Sequence, residues 1–167
     1  LINLGGGSGQ VAGNIHHTGG ELYLNGGSLE ATGNYYHGTE NADGTFSYSS
    51  GTVRMEKTSD RLQIGGNLYV CPNGSSYWKL TAGQIEIGGS LYGYGSYTVN
   101  ASGSHKIIFT GTEDLEISSG SSGTLNLANV EIRNADSRAI KMKGRIYFNT
   151  SLSVDGNSLE IVPEKLN

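Results

Sequence analysis

Apolar and polar residues alternate in short units along the whole chain. Units of three residues, in which two apolar residues flank a more polar one, recur at residues 22–24, 53–55, 62–64, 85–87, 115–117, 125–127, 130–132 and 140–142. Alternation with a period of two places every second side chain on one face of a strand. The pattern predicts short β-strands with one buried face. It argues against a disordered chain, which the abundance of glycine and serine would otherwise favour.

One eight-residue phrase occurs five times. It reads apolar, polar, apolar or alanine, any residue, glycine, Asn/Ser/Arg, apolar, and Tyr or His, and its copies begin at Gly9, Leu29, Leu62, Ile85 and Ile140. The first copy is imperfect, because a glycine occupies its leading apolar position. We interpret each phrase as strand, corner and strand, with the fifth-position glycine free to take a positive φ at the turn. In the middle coils an alternating unit ahead of the phrase adds a third strand.

The spacing of the phrase indicates a solenoid. Successive copies start 20, 33, 23 and 55 residues apart, which suits coils of roughly 20–23 residues. The polar segment 38–44 reads as an insertion at a corner, and the longest interval leaves room for two coils with weaker phrases. The predicted fold is all-β, a right-handed parallel β-helix (β-solenoid) of about seven coils with corner insertions. Residues 1–135 form coils, and residues 136–167 form terminal coils or a cap of the same solenoid.

An antiparallel sandwich is the competing fold, because it also has short strands at regular spacing. Asn-Gly dipeptides, which favour hairpin turns, occur at residues 25–26 and 73–74 but not systematically. The phrase also recurs at the interval of a coil rather than of a hairpin. These two observations favour the solenoid.

Composition excludes several classes of protein. Glycine makes up 27 of the 167 residues, which disfavours long helices, and it follows no collagen period. No apolar run approaches the ~20 residues of a membrane span, so we predict no membrane insertion. A net charge of −4 gives no electrostatic footprint for nucleic acid. The chain begins with Leu1 and shows no signal sequence, so we expect it to be a piece of a longer protein.

Three stretches resemble a known group of proteins. GELYLNGGSLEATGN (20–34), LTAGQIEIGGSL (80–91) and NASGSHKIIFTGT (100–112) resemble the β-helical repeat regions of large secreted and cell-surface bacterial proteins, of the haemagglutinin-like and adhesin-like kind. The resemblance covers about residues 13–134. It implies an elongated, non-catalytic, extracellular region, and it carries over no functional residues.

The eighth position of the phrase predicts a column of aromatic side chains. Such a column would point outward along one face, and its members would be His16, Tyr36, Tyr69, Tyr92 and Tyr147. It would stabilise stacked strands by a few tenths to about 1 kcal/mol per pair, or its ring faces would bind a polysaccharide. Tyr94 and Tyr97 would widen the patch. The candidate glycan-binding residues are Tyr36, Tyr69, Tyr92, Tyr94 and Tyr147.

Histidine, cysteine and tryptophan residues favour structural roles. His17 and His37 follow the aromatic position in successive copies, where a metal pair would fit, but no further ligand recurs beside them. We therefore interpret them as a polar corner pair. Cys71 has no partner base and is predicted to be inert. Trp78 stands in a strand position that leucine occupies elsewhere, so we expect it in the core.

The acidic residues do not form the constellation of a polysaccharide-cleaving enzyme. Glu113, Asp114 and Glu116 are the densest cluster. Alternation places Glu116 on the outward face, in one predicted column with other polar residues, namely Glu30, Gln63, Glu86 and Lys141. The aspartates follow no calcium-binding repeat. We predict no catalytic residues, no metal and no cofactor.

The predicted function is that of a non-catalytic structural or adhesive module in an extracellular surface protein or fibre. The alternative is a carbohydrate-binding module that uses the tyrosine column. The expected partners are a polysaccharide or the surface of a host or neighbouring cell. End-to-end self-association is a further expectation, because the last coil of an uncapped solenoid offers free strand edges.

Overall fold

Strands dominate the computed structural model, which describes residues 1–74, 78–95, 99–120 and 123–155. A single 3-10 turn, Ala135–Ser137, is the only helical element among these residues. The strands are β1 (Ile2–Asn3), β2 (Ser8–Val11), β3 (Ile15–His17), β4 (Glu21–Tyr23), β5 (Ser28–Ala31), β6 (Tyr35–His37), β7 (Thr39–Glu40), β8 (Phe46–Ser47), β9 (Thr52–Met55), β10 (Arg61–Ile64), β11 (Leu68–Val70), β12 (Lys79–Leu80), β13 (Gln84–Ile87), β14 (Leu91–Gly93), β15 (Lys106–Phe109), β16 (Leu115–Ser118), β17 (Thr124–Ile132), β18 (Ile140–Lys143) and β19 (Arg145–Val154).

Three parallel sheets run along the molecule, and the chain visits them in the same order in every turn. The first sheet has the order β1-β4-β9-β12, the second β2-β5-β10-β13-β15-β17-β19, and the third β3-β6-β11-β14-β16-β18. Isolated bridges from Leu80 to Ala101 and from Asn100 to Asn126 carry the first sheet on to β17. Seven strands of the second sheet are joined by six turns. The predicted all-β parallel solenoid is therefore confirmed, close to its predicted number of coils.

Like residues stack on like residues inside the solenoid. In the second sheet Leu29, Leu62, Ile85 and Ile107 are consecutive partners in register. Leu62 and Ile85 have no exposed surface, and full burial of such a side chain contributes about 1.5–3 kcal/mol. Trp78 is 3% exposed and belongs to the same core, as predicted.

A hairpin interrupts the coils at the predicted corner insertion. β7 and β8 lie between β6 of the third sheet and β9 of the first, and they pair antiparallel, with Glu40 opposite Phe46. Loop-closure entropy grows slowly with length, so an insertion at a corner leaves the coil above it in register. Leu62 indeed pairs with Leu29 across the longer interval.

The fifth copy of the phrase lies one strand out of phase with the other four. Ile140 pairs with Leu115 in the third sheet, whereas the leading residues of the other copies lie in the second sheet. The second half of β17, from Asn129, already occupies this turn's place in the second sheet. The next strand must therefore enter the third sheet. β18 and β19 extend the third and second sheets, and residues 156–167 lie outside the described part.

Candidate functional site

Four aromatic rings stack face to face on the outside of the third sheet. His16, Tyr36, Tyr69 and Tyr92 are partners in register on successive strands. Their ring centroids are 4.8, 4.8 and 5.2 Å apart, with interplanar angles of 7°, 6° and 19°. The spacing equals the distance between neighbouring strands. The predicted column therefore forms over these four positions.

The prediction that Tyr147 continues this column is wrong. Ser118 follows Tyr92 in register, and Lys143 follows Ser118. Tyr147 lies in β19, where its partner is Asn126, and it is 52% exposed. The cause is the phase shift of the fifth phrase, which moves its last residue into another sheet.

A second, outer stack comes from the insertion. The Phe46 ring lies 4.3 Å from the ring of Tyr94, at 21°, and 5.4 Å from that of Tyr69, at 13°. The hairpin therefore covers part of the tyrosine column. Phe46 was not predicted as a member, although its signal is visible in the sequence as an aromatic residue within a polar insertion. Tyr97 lies outside the described residues.

The stacking uses the ring faces that a sugar would need. Each ring inside the column has an aromatic neighbour on both faces, and Tyr36 is only 8% exposed. Burial raises the pKa of Tyr94 to about 12 and also raises the pKa of Tyr69. Stacked aromatic pairs contribute about 0.5–1.5 kcal/mol beyond their buried area. The geometry favours a stabilising role, and glycan binding by these tyrosines stays a prediction.

An asparagine ladder runs beside the tyrosines at the corner between the second and third sheets. The side-chain oxygen of Asn14 accepts a hydrogen bond from the Asn34 backbone N–H at 2.8 Å. Asn34 accepts from Asn67 at 2.7 Å, and Asn67 accepts from Ser90 at 2.8 Å. The sixth position of the phrase thus joins each coil to the next. The sequence shows the recurring asparagine but not its partner.

The ladder also holds the tyrosines in place. The side-chain amide of Asn34 donates to the hydroxyl of Tyr36 at 2.9 Å, and that of Asn67 donates to Tyr69 at 3.1 Å. Each amide group therefore contacts the next coil through its oxygen and its own tyrosine through its nitrogen. The corner and the aromatic stack form one network.

Most phrase glycines serve this ladder rather than a positive φ. Of the five, only Gly13 (φ 130°) and Gly144 (φ 81°) have a positive φ, so the prediction is wrong for the middle copies. A Cβ at Gly66 would collide with the side-chain oxygen of Asn34, and one at Gly89 would collide with that of Asn67. Glycine is required there because the amide of the coil below lies where a side chain would begin.

His17 and His37 form the predicted polar pair where strands of the third sheet end, with His37 fully buried and His17 half-buried. Their rings are 5.4 Å apart, edge to face. His17 donates through Nε2 to the Gly20 carbonyl at 3.2 Å, so its Nδ1 accepts from the Tyr35 hydroxyl at 2.8 Å. His37 donates through Nε2 to the Gly51 carbonyl at 2.8 Å. Burial lowers the pKa of His17 and lowers that of His37 to about 4, so both rings are neutral at pH 7.

Asp60 is a fully buried carboxylate at the corner between the first and second sheets. Its oxygens accept hydrogen bonds from the backbone N–H groups of Gly26, Glu56 and Lys57. It thereby joins two successive coils. A lone aspartate in a non-repeating position gave no sequence signal for this role.

The predicted outward polar column divides between two sheets. Glu30, Gln63 and Glu86 are aligned in the second sheet, where they line an open groove of about 390 Å³. Glu116 and Lys141 are instead partners in the third sheet. The phase shift of the fifth phrase accounts for the position of Lys141, whereas Glu116 belongs to no copy of the phrase. Glu116 forms an ion pair of 3.0 Å with Lys143, and such exposed pairs contribute about 0–1 kcal/mol.

Among the described residues, no group of three or more His, Cys, Asp or Glu side chains could hold a metal ion. Cys71 is buried, and burial raises the pKa of its thiol. Over that same part of the chain, no helix is long and apolar enough to cross a membrane.

Comparison of the chain with protein-family models, with curated proteins and with solved structures found no match.

Proposed function

We propose that this chain is a non-catalytic structural segment of an elongated extracellular surface protein of the adhesin kind. The proposal rests on the contacts of the recurring asparagine and tyrosine side chains, which are made with neighbouring coils and with one another. Asn34 and Asn67 accept hydrogen bonds from the coil above and donate to the tyrosines of their own coils, and those tyrosines stack on one another. These contacts occupy the amide groups and the ring faces of the inner tyrosines, through which a glycan would otherwise bind.

A solenoid of this kind supplies length. Each coil adds about 4.8 Å, so the seven levels of the second sheet amount to roughly 34 Å. Every coil contacts only its neighbours, so coils can be added without changes elsewhere. Corner insertions such as the β7–β8 hairpin vary the surface without disturbing the stack. These properties suit a spacer that presents a binding region at a distance from a cell.

An enzyme is supported less well by the arrangement of the carboxylates. Glu116 is paired with Lys143, and Asp114 accepts a hydrogen bond from the Ala139 backbone N–H at 3.0 Å. Glu30 accepts from the side chain of Gln10 at 3.2 Å. Each of these carboxylates is engaged in holding neighbouring coils together, whereas a general acid must be within hydrogen-bond reach of the substrate.

Two experiments test the proposal. Antibodies against the chain should label intact cells of the source organism, and external protease should remove the label; labelling only after lysis would contradict the extracellular role. The purified chain should show neither turnover nor saturable binding on a panel of insoluble and acidic polysaccharides. Binding that Tyr92→Ala abolishes while the melting temperature stays unchanged would favour the carbohydrate-binding alternative.

A further inference from the structure

The β7–β8 hairpin is attached to the solenoid at two places. Within the part of the chain that the structure describes, residues 39–47 hydrogen-bond with one another, and the coils reach them through the Cys71 thiol, which donates to the Phe46 carbonyl at 3.9 Å. The first attachment is the Phe46 ring, which stacks on Tyr94 and Tyr69. The second is the point at which the insertion leaves and rejoins the coils.

This second attachment is the neck of the insertion, which His37, Ser49 and Gly51 form. The His37 ring donates through Nε2 to the Gly51 carbonyl at 2.8 Å, so it joins the end of β6 to the residue before β9. The Ser49 hydroxyl donates to the His17 carbonyl at 2.8 Å and accepts from the Gly51 backbone N–H at 2.8 Å. His37 and Ser49 have no exposed surface. The neck is therefore a buried polar contact.

The neck offers no acceptor for a second proton on His37. Because Nε2 donates to Gly51, the neutral ring carries its lone pair on Nδ1, and this atom has no hydrogen-bond partner among the described residues. Proton uptake would turn Nδ1 into a donor on a charged ring. A charged donor that is buried without a partner is strongly destabilising. The protonated ring is therefore stable only where water reaches it.

The groups around His37 supply no negative charge. His17 of β3 lies edge to face at 5.4 Å, and a charge on it would repel one on His37. Tyr35 of β6 and Cys71 after β11 are buried, and burial raises the pKa of both, so they stay neutral in acid. Trp78, whose ring centroid lies 5.1 Å from that of His37, does not titrate. Burial is the main reason that the pKa of His37 is lowered to about 4.

We propose that the neck is an acid-operated latch, which opens in mild acid and releases the β7–β8 hairpin from the tyrosine column while the coils stay folded. The hairpin contributes no strand to the three parallel sheets. Segments with few contacts to the rest of a fold open at a lower free energy than the whole fold. Opening admits water to the His37 ring and withdraws Phe46 from Tyr94 and Tyr69.

His17 acts in the same direction as His37. Its Nδ1 accepts from the Tyr35 hydroxyl at 2.8 Å, and burial lowers its pKa. Proton uptake by His17 would remove the acceptor of a tyrosine that has no exposed surface. Both histidines therefore favour the closed neck in their neutral forms. The inference depends on the neck alone and holds whether or not the chain is an extracellular spacer.

The size of the effect follows from the two states of His37. The pKa of the ring is about 4 in the closed neck and takes its ordinary value of 6.5 in water. The open neck therefore binds protons more readily, so acid favours opening. Proton linkage at this one ring should raise the equilibrium constant for opening about 20-fold from pH 7 to pH 5.

Cys71 reports the opening in the unaltered chain, because it is 1% exposed and its thiol contacts the Phe46 carbonyl of the hairpin. The probe is dithiodipyridine, which converts a thiol to a mixed disulfide and releases a coloured thiopyridone. The rate for the folded chain is divided by the rate for the chain unfolded in concentrated urea at the same pH, so that the intrinsic reactivity of the thiol cancels. We expect this ratio to rise about 20-fold from pH 7 to pH 5. A constant ratio would overturn the proposal.

Glutamine substitutions identify the responsible histidine. His37→Gln keeps a side-chain N–H for the Gly51 carbonyl but takes up no proton, so the ratio should rise at most a few-fold, through His17 alone. His105→Gln is the matched control, because His105 is fully buried with a pKa that burial also lowers to about 4, but its Nδ1 donates to the Ala82 carbonyl. This control should keep the full rise. If both variants keep it, or if His105→Gln loses it, the neck is not the latch.

The urea dependence of the Cys71 rate provides a second measurement, which needs no variant. Local opening exposes little surface, so low concentrations of urea should hardly change the rate at pH 5. Global unfolding exposes the whole core and responds steeply to urea. If the Cys71 rate depends on urea as steeply as global unfolding followed by Trp78 fluorescence, acid unfolds the coils themselves, and the proposal is wrong.

Discussion

Replacement of Gly66 by alanine tests the asparagine ladder. The new Cβ would collide with the side-chain oxygen of Asn34, whereas its next contacts, with Asn34 Cγ and with the Gly33 carbonyl carbon, are both 3.2 Å. The amide cannot move aside without losing its hydrogen bond from the Asn67 backbone N–H. The strain therefore arises from one identifiable group, and removal of that group should relieve it.

The expected free energies follow from this geometry. Gly66→Ala overpacks a tight contact and should cost about 1–3 kcal/mol. Asn34→Ala leaves the Asn67 N–H without its acceptor and the Tyr36 hydroxyl without its donor, which should also cost about 1–3 kcal/mol. In the double variant the collision no longer exists. Its loss of stability should therefore be smaller than the sum of the two single losses by about 1–2 kcal/mol.

Urea unfolding followed by tryptophan fluorescence measures these values, because Trp78 is the only tryptophan and is 3% exposed. Gly65→Ala provides the matched control. Its Cβ would collide with the backbone carbonyl of Thr32, which Asn34→Ala does not remove. Gly65→Ala and Asn34→Ala should be additive to within about 0.5 kcal/mol. If Gly65→Ala couples to Asn34→Ala as strongly as Gly66→Ala does, or if Gly66→Ala shows no coupling, the asparagine ladder is not the reason that position 66 requires glycine.

Three further perturbations probe other parts of the network. Burial lowers the pKa of His37 to about 4 from the usual 6.5, and it does the same for His105, a fully buried histidine whose Nδ1 donates to the Ala82 carbonyl. Both rings therefore bind protons more readily in the unfolded chain than in the folded one. The urea midpoint of unfolding should be highest above pH 7 and fall as the pH decreases from about 6.5 towards 4. A urea midpoint that does not change over this pH range would contradict the prediction. Asp60→Ala leaves three backbone N–H groups without an acceptor and should lower the free energy of unfolding by about 3 kcal/mol; a loss below 1 kcal/mol in urea would show that the corner does not need the carboxylate. Phe46→Ala should cost about 1 kcal/mol and speed limited proteolysis of the hairpin, whereas Tyr48→Ala, at a 63% exposed position, should do neither.

The solenoid could be predicted from the sequence because the alternation of apolar and polar residues and the recurrence of the eight-residue phrase indicate the same fold. Alternation defines strands with one buried face, and the phrase repeats at the length of one coil. Leu62 and Ile85 satisfy both conditions, and they stack as expected. Neither period identifies which sheet a strand joins, however. Ile140 begins a well-formed phrase, yet it lies in the third sheet because residues 129–132 already fill the second.

The site was predicted less completely, because a column in the sequence does not reveal ring orientation. The positions of Tyr36, Tyr69 and Tyr92 follow from the phrase, but their near-parallel rings follow from the strand spacing of about 4.8 Å. That distance lies within the range of about 4.5–7 Å between ring centroids that offset-stacked aromatic pairs prefer, so neighbouring rings stack on one another. Phe46 then adds a contact from an insertion outside the repeat.

The asparagine ladder explains why the glycine and asparagine of the corner recur together with the tyrosine of the aromatic column. An amide whose oxygen bonds the coil above needs a glycine there, and its nitrogen then reaches a hydroxyl two residues later in its own coil. Glycine, asparagine and tyrosine therefore form one structural unit rather than three separate preferences. Where Ser90 replaces asparagine, its hydroxyl still accepts from the Glu116 backbone N–H at 2.9 Å, but it offers no amide to Tyr92. The aromatic column ends one coil later, at Ser118, so the last ring of the column, Tyr92, is the one whose own coil carries serine in place of the asparagine.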